Sequence, residues 1–235
     1  MKNYLKPTQF LDFNNPAIQQ LINDRHWRSL NQKEQILQVY NFVRDEIKFG
    51  FNVNDTLSAS VILQEGIGQC NTKTILFMAI LRALGIPCRL HGFTIDKKLQ
   101  SGIMNGDVYN AMPDEIVHTW AEVYFNDRWY KMEGLILDVP YLTGLQHKFA
   151  SNSGAFCGFA VATPNLQDPP VYWNGDNDTY IQKEGIVQDF GLFDDPDSFF
   201  ALHSQKMSPE QMKLFGDKLR YDINDNIAEI RKEGK

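Results

Sequence analysis

Hydrophobic and polar positions repeat along this chain with two different periods, and the switch between them sorts it into elements. Ile36, Tyr40, Val43 and Ile47 recur at helical spacing behind an Asn31/Glu34 pair that reads as a capping box. Phe49-Gly50-Phe51 ends that helix, and Asn52-Val53-Asn54-Asp55 is a polar loop. Ser58 is then placed to cap a short helix over 59–63. A glycine-punctuated turn, Gly66-Ile67-Gly68, opens a strongly apolar helix over 69–84 that stops at Gly85 and Pro87. From Cys88 the period drops to two. The stretch 88–95 (CRLHGFTI) predicts a strand. The stretch 117–125 (VHTWAEVYF) predicts another, with His118, Trp120, Glu122 and Tyr124 on one face and Val117, Thr119, Ala121, Val123 and Phe125 on the other. Asn126-Asp127 predicts a tight turn into a returning strand, 128–132 (RWYKM).

Elsewhere the period is weaker. The stretch 97–113 reads as a polar, glycine-containing insertion, and 151–178, rich in Gly, Ser, Asn and Pro, reads as loop. Ser208-Pro209-Glu210 opens a final helix with Met212, Phe215, Leu219, Ile223, Ile227 and Ile230 on one stripe. Without internal repeats, the pattern predicts one domain: a core with its N-terminal helices over 1–140, and an extension over 141–235 packed back on it.

Composition narrows the function more than the fold. With 43% hydrophobic and 12% aromatic residues, the 235-residue chain can build an ordinary packed core. A formal charge of −6 and the lack of any basic run argue against nucleic acid or an anionic membrane as partner. The longest apolar run, 75–86, is interrupted by Arg82 and is too short to span a bilayer. Cys70, Cys88 and Cys157 are far apart and odd in number, which is no disulfide framework, and the first residues contain no apolar signal segment. The cytoplasm is the expected compartment.

One cysteine stands apart. Cys70 falls in the first turn of the apolar helix, where the macrodipole favours thiolate over thiol. The flanking glycines allow the backbone to turn sharply and approach a ligand closely. A cysteine nucleophile also needs a base and a group that orients the base. His118 lies near the start of one predicted strand and Glu133 just beyond its hairpin partner, so antiparallel pairing brings them close. Asp138 is a fallback for the acid. Cys88 and Cys157 read as small buried hydrophobes, His91 as structural, and Trp120 and Trp129 as packing. The acidic groups at 176–178 and 194–197 lack the spacing of a calcium loop, and no Cys/His spacing suits zinc. Asp189-Phe190-Gly191 copies a kinase tripeptide, but none of the motifs that accompany it there is present.

The pattern GxGxCxxxxxLFxAxLRALGIPxR, followed by HTWAEVYFNDRWYKME, resembles the transglutaminase-like superfamily from about Leu57 to Gly134. That papain-related fold is shared by transglutaminases, microbial cysteine peptidases, peptide N-glycanases and, more remotely, arylamine N-acetyltransferases. The resemblance implies an α+β, papain-like fold, with the Cys70 helix packed on an antiparallel sheet. It implies Cys70 as nucleophile, His118 as general base and Glu133 as the orienting acid. Glu133-Gly134 stands where the family usually has Asp-Pro. Gln64 and Gln69 are the side-chain candidates to join the Cys70 amide in an oxyanion hole, with Gln64 first because papain-type enzymes place a glutamine six residues before the cysteine. The expected activity is acyl transfer on a peptide or side-chain amide of a peptide or protein substrate, with no cofactor and no metal. Hydrolysis is favoured because the chain is short and lacks accessory β-domains. Amine transfer and a non-catalytic binding or assembly role are the alternatives. Part of the stretch 149–170, glycine-rich and directly after the hairpin, is expected to cover the cleft.

Overall fold

The computed structural model describes residues 1–104 and 106–235. The expected insertion at 97–113 includes Asn105, which lies outside the described residues. In chain order the first half contains α1 (Pro16–Asp24), α2 (Gln32–Asp45), β1 (Lys48–Phe49), α3 (Ala59–Glu65), β2 (Ile67–Gly68), α4 (Cys70–Ala83) and β3 (Cys88–Asp96). Then come α5 (Gly106–Ala111), β4 (Glu115–Phe125), β5 (Arg128–Met132), α6 (Val139–Lys148), β6 (Phe156–Gly158) and β7 (Val161–Thr163). Finally there are β8 (Ile186–Phe193), α7 (Pro196–Phe200), α8 (Pro209–Leu214) and α9 (Arg220–Glu233).

An antiparallel sheet in the order β5-β4-β3-β8 forms the centre. The two left-handed residues Asn126 and Asp127 (φ 47° and 59°) make the tight turn between β4 and β5. The face of β4 that carries Val117, Ala121 and Val123 packs on α4, and the same core takes in Ile75–Leu81. From Ile75 to Leu81 helix α4 is apolar on every face, and it is buried along nearly its whole length, as such a helix must be. Even Lys73 is wholly enclosed, its Nζ donating to the Arg44 and Ile136 carbonyls at 3.0 and 2.9 Å. Asn31 and Glu34 form the expected capping box on α2. Ser58 precedes α3, but its hydroxyl pairs with Ser60 instead of capping the helix.

Three elements depart from the sequence expectations. Strand β8 extends the sheet beside β3, where Gly191 (φ 82°) and two register shifts break the alternation that would have marked it. Helix α6 starts on an Asp138 N-cap with proline in its first turn. The C-terminal stripe is divided by a π-helical stretch, Phe215–Leu219. Ile223, Ile227 and Ile230 reach the core while Met212, half exposed, faces a cleft. A π turn inserts one residue and rotates everything before it around the helix axis. Cys88 is buried as expected, but Cys157 is exposed, because β6 belongs to a small separate hairpin with β7. Among the described residues, no helix is long and apolar enough to cross a membrane.

Candidate active site

The turn before α4 is built to press a loop against the helix start. Gly66 takes a left-handed φ of 66° after α3. A Cβ on Gly68 would sit 2.8 Å from Lys73 Cγ and 2.9 Å from Thr72 Oγ1, so this glycine serves close packing on the first helical turn, not approach to a ligand. The Gln69 amide donates to Thr72 Oγ1 at 3.0 Å, Thr72 Oγ1 donates to Asn52 Oδ1 at 2.6 Å, and the Asn52 amide donates to Gln69 Oε1 at 2.9 Å. This closed ring of hydrogen bonds fixes where Cys70 emerges. Cys70 is half-buried on the wall of a cleft, among Phe49, Phe51, Met104, Met112, Met207 and Met212.

Desolvation in that apolar wall pushes the Cys70 thiol well above its ordinary value. The negative charges of Asp55 and Glu133 add to the rise, while the Asn71 and Cys70 backbone amides oppose it. The helix-start effect expected from sequence is present but outweighed by burial and the two carboxylates.

His118 and Glu133 meet. His118 Nε2 is 2.8 Å from Glu133 Oε1, and both side chains are wholly buried. Glu133 Oε2 accepts from three consecutive backbone amides, those of Ile181, Gln182 and Lys183, at 2.9, 3.0 and 3.1 Å. Such a nest of amides supports a negative charge. The length of glutamate suits the register. The β4–β5 ladder pairs Ala121 with Met132, so its continuation sets Glu133 opposite Trp120, diagonal to His118. Diagonal partners are within reach of long side chains. Behind the acid, the Glu133 amide donates to the Thr179 carbonyl at 3.1 Å and the Gly134 amide to Thr179 Oγ1 at 3.2 Å. A Cβ on Gly134 would lie 2.6 Å from Tyr40 Oη and 2.7 Å from Val171 Cα, too close for any residue but glycine there.

The other ring nitrogen, His118 Nδ1, is buried and has no hydrogen-bond partner among the described residues. Cys70 and His118 are each one residue from a direct link: Asn71 Nδ2 donates to the Val117 carbonyl at 3.0 Å, and Thr119 Oγ1 donates to Asn71 Oδ1 at 2.9 Å.

The remaining candidates separate. Gln64 is exposed on α3 and does not line the cleft, because that helix turns it outward. Gln69 lines the cleft, with its Nε2 donating to Asp55 Oδ1 at 3.0 Å. Asp138 is not beside His118. It caps α6 and makes a bidentate pair with Arg231 (2.9 and 2.8 Å), whose guanidinium outweighs burial and holds the carboxyl below its usual range. Of 149–170, Ala160 alone lines the cleft; Gln205, Met207, Met212 and Phe215 cover it instead. The sequence reading missed Asp55, Asn71, Gln205 and the amide nest at 181–183. Only Asn71, beside the cysteine, could have been suspected from its position.

Residues 22–134, the part of the chain that carries α4 and β3–β5, match the model of the transglutaminase-like superfamily. A solved structure from Cytophaga hutchinsonii, provisionally described as a cysteine protease, is similar at 15% identity and a TM-score of 0.47. The similarity covers 83% of this chain and 47% of that one, so this chain spans about half the length of that protein. No curated protein matches the chain.

Proposed function

We propose that the protein is a cysteine-dependent acyl-transfer enzyme that hydrolyses a peptide or side-chain amide, with Cys70 as nucleophile, His118 as base and Glu133 as the acid that orients it. The observation that carries this reading is the His118 ring. Its Nε2 is held by a buried carboxylate, and its Nδ1 is left without a partner one residue from the Asn71–Val117 bond. In the neutral ring Glu133 keeps the proton on Nε2, so Nδ1 is the free acceptor. His118 takes the Cys70 proton, and the sulfur adds to the amide carbon. The C–N bond then breaks and the leaving amine carries away the proton held by His118. Water, deprotonated by the same nitrogen, cleaves the thioester to the free acid and restores the thiol. The Cys70 amide at the start of α4 faces charge developing on the carbonyl oxygen. Hydrolysis is preferred to amine transfer because water, unlike a second amine, needs no acceptor subsite of its own in the cleft.

Iodoacetamide labelling tests the assignment, with the exposed Cys157 as an internal reference. At neutral pH Cys70 should label faster than Cys157 despite its burial, and His118→Ala should remove that advantage. A Cys70 rate that His118→Ala leaves unchanged ends the assignment. A peptide digest supplied with a labelled amine then separates the outcomes: new carboxylates support hydrolysis, and amine incorporation overturns it.

A further inference from the structure

Immediately before His118, a side chain occupies the place of a strand. Strand β5 pairs with β4 only from Ala121 to Phe125, so the edge of β4 at Val117 has no strand beside it among the described residues. There the Gln205 carboxamide takes the place of the N–H and C=O of one residue. Its Oε1 accepts from the Val117 amide at 3.0 Å and its Nε2 donates to the Val117 carbonyl at 3.2 Å. Those are the two bonds that an antiparallel neighbour exchanges with the residue opposite it. The orientation of the carboxamide is fixed by its partners, since Val117 offers one donor and one acceptor.

The same Nε2 also donates to Asp55 Oδ2, at 2.9 Å, so Gln205 bridges the cleft that holds Cys70. It sits in the irregular segment between α7 and α8, with exposed Ser204 and Lys206 on either side. The segment is anchored at one end by His203, stacked on Phe190 and Phe199 at 4.0 and 4.9 Å, and continues into α8 at Pro209. Little besides Gln205 and Met207 faces the cleft from this strap.

We propose that the β4 edge at Val117 is the binding site for an extended peptide, and that the strap 203–208 is its built-in occupant, with the Gln205 carboxamide holding the peptide's place until it is displaced. A peptide seated there takes over both bonds to Val117 and lies beside the start of α4. Its side chains meet the methionine-lined wall, whose flexible thioethers adapt to varied apolar groups. This rests on the reading of Cys70 as a nucleophile toward amides, and it defines the acyl donor as an extended main chain with an apolar residue in the cleft.

Two electrophiles of different reach test it on the intact chain: iodoacetamide, which needs only the thiol, and acetyl-Leu-Phe chloromethyl ketone, which needs the edge as well. Losing the two Val117 bonds should free the edge, so Gln205→Ala and Gln205→Glu should raise the Cys70 alkylation rate by the peptidyl reagent about tenfold. The iodoacetamide rate should stay within about threefold, and Lys206→Ala should change neither rate. Gln205→Glu keeps the side-chain size but cannot donate to the Val117 carbonyl and faces Asp55, which guards against a folding defect in the alanine variant. Parallel changes with both reagents mean that the strap only shields the thiol, and unchanged rates mean that it blocks nothing; either overturns the proposal. The ratio of the two rates is read within each variant. A failed His118→Ala test would therefore remove the enzyme reading without deciding this one.

Discussion

Glu133→Gln separates the role of the acid from its contribution to stability. In the native chain one carboxylate oxygen faces His118 Nε2 at 2.8 Å and the other faces three backbone amides at 2.9–3.1 Å. A carboxamide has one acceptor and one donor end. Three donors on the Oε2 side leave it one orientation, with its oxygen toward the nest and its NH2 toward His118. Nε2 must then accept, and the ring proton moves to Nδ1, the nitrogen that has to receive the Cys70 proton. The base is present, in place, and in the wrong tautomer. An equivalent change of tautomer in a serine enzyme triad lowers turnover by about 10⁴-fold. The cost in stability is smaller. Three charge-assisted bonds become neutral ones, each weaker by about 1 kcal/mol, for a total of about 3 kcal/mol, which a domain of ordinary stability survives.

The assay is the rate of Cys70 alkylation by iodoacetamide between about pH 5 and 9, with circular dichroism to show that the variant is folded. Long-range ¹⁵N correlation of the His118 ring reports the tautomer directly. Glu133→Gln should label Cys70 as slowly as His118→Ala while the ring spectrum shows the proton on Nδ1. A folded Glu133→Gln protein whose Cys70 labels within about threefold of the native rate across that range refutes the orienting role.

Two further variants probe the frame around the site. Asp138→Asn breaks a buried bidentate pair with Arg231, so urea unfolding should show a loss of about 3–5 kcal/mol. Cys70 labelling in the folded protein should stay near native, because Asp138 does not orient His118. Burial lowers Lys73 from its ordinary 10.5 to about 7, so between those values the unfolded chain binds a proton that the folded chain does not. Native stability should therefore rise with pH from about 7 to 10.5, by at most roughly 5 kcal/mol, and Lys73→Met should flatten that slope in urea titrations.

Legibility in the sequence followed how local each determinant is. The α4 stop signals, the period-two strands and the Asn126-Asp127 turn act within a few residues of themselves, and each element formed where its residues predict it. The Glu133 assignment needed one hairpin, still a short-range inference, and the register explains why the longer acid reaches His118. What the sequence hid is long-range. Asp138 was legible as an acid near the hairpin but not as an N-cap, although Val139-Pro140 after it is a helix-start signal. Its partner Arg231 lies 93 residues away. Gln205 is 88 residues from Val117 and 150 from Asp55, and nothing in a Ser-Gln-Lys tripeptide announces a strand mimic.

The thiol shows where a local rule meets its limit. The start of α4 does favour thiolate through the Asn71 and Cys70 amides, as the sequence position predicts, but desolvation and the charges of Asp55 and Glu133 act against it and prevail. The same burial that makes the cleft selective for apolar groups makes a resting thiolate unfavourable. In the proposed reaction the demand for a thiolate therefore passes to the His118–Glu133 pair. This also explains why so much of the chain is spent on the acid: a nest of three amides, a buttress at Thr179 and a glycine at 134 that admits no side chain. In a site whose nucleophile arrives already ionised, the acid could be lost at small cost. In the proposed reaction the base must take the proton from a reluctant thiol, so the tautomer that Glu133 favours would decide whether the chemistry starts.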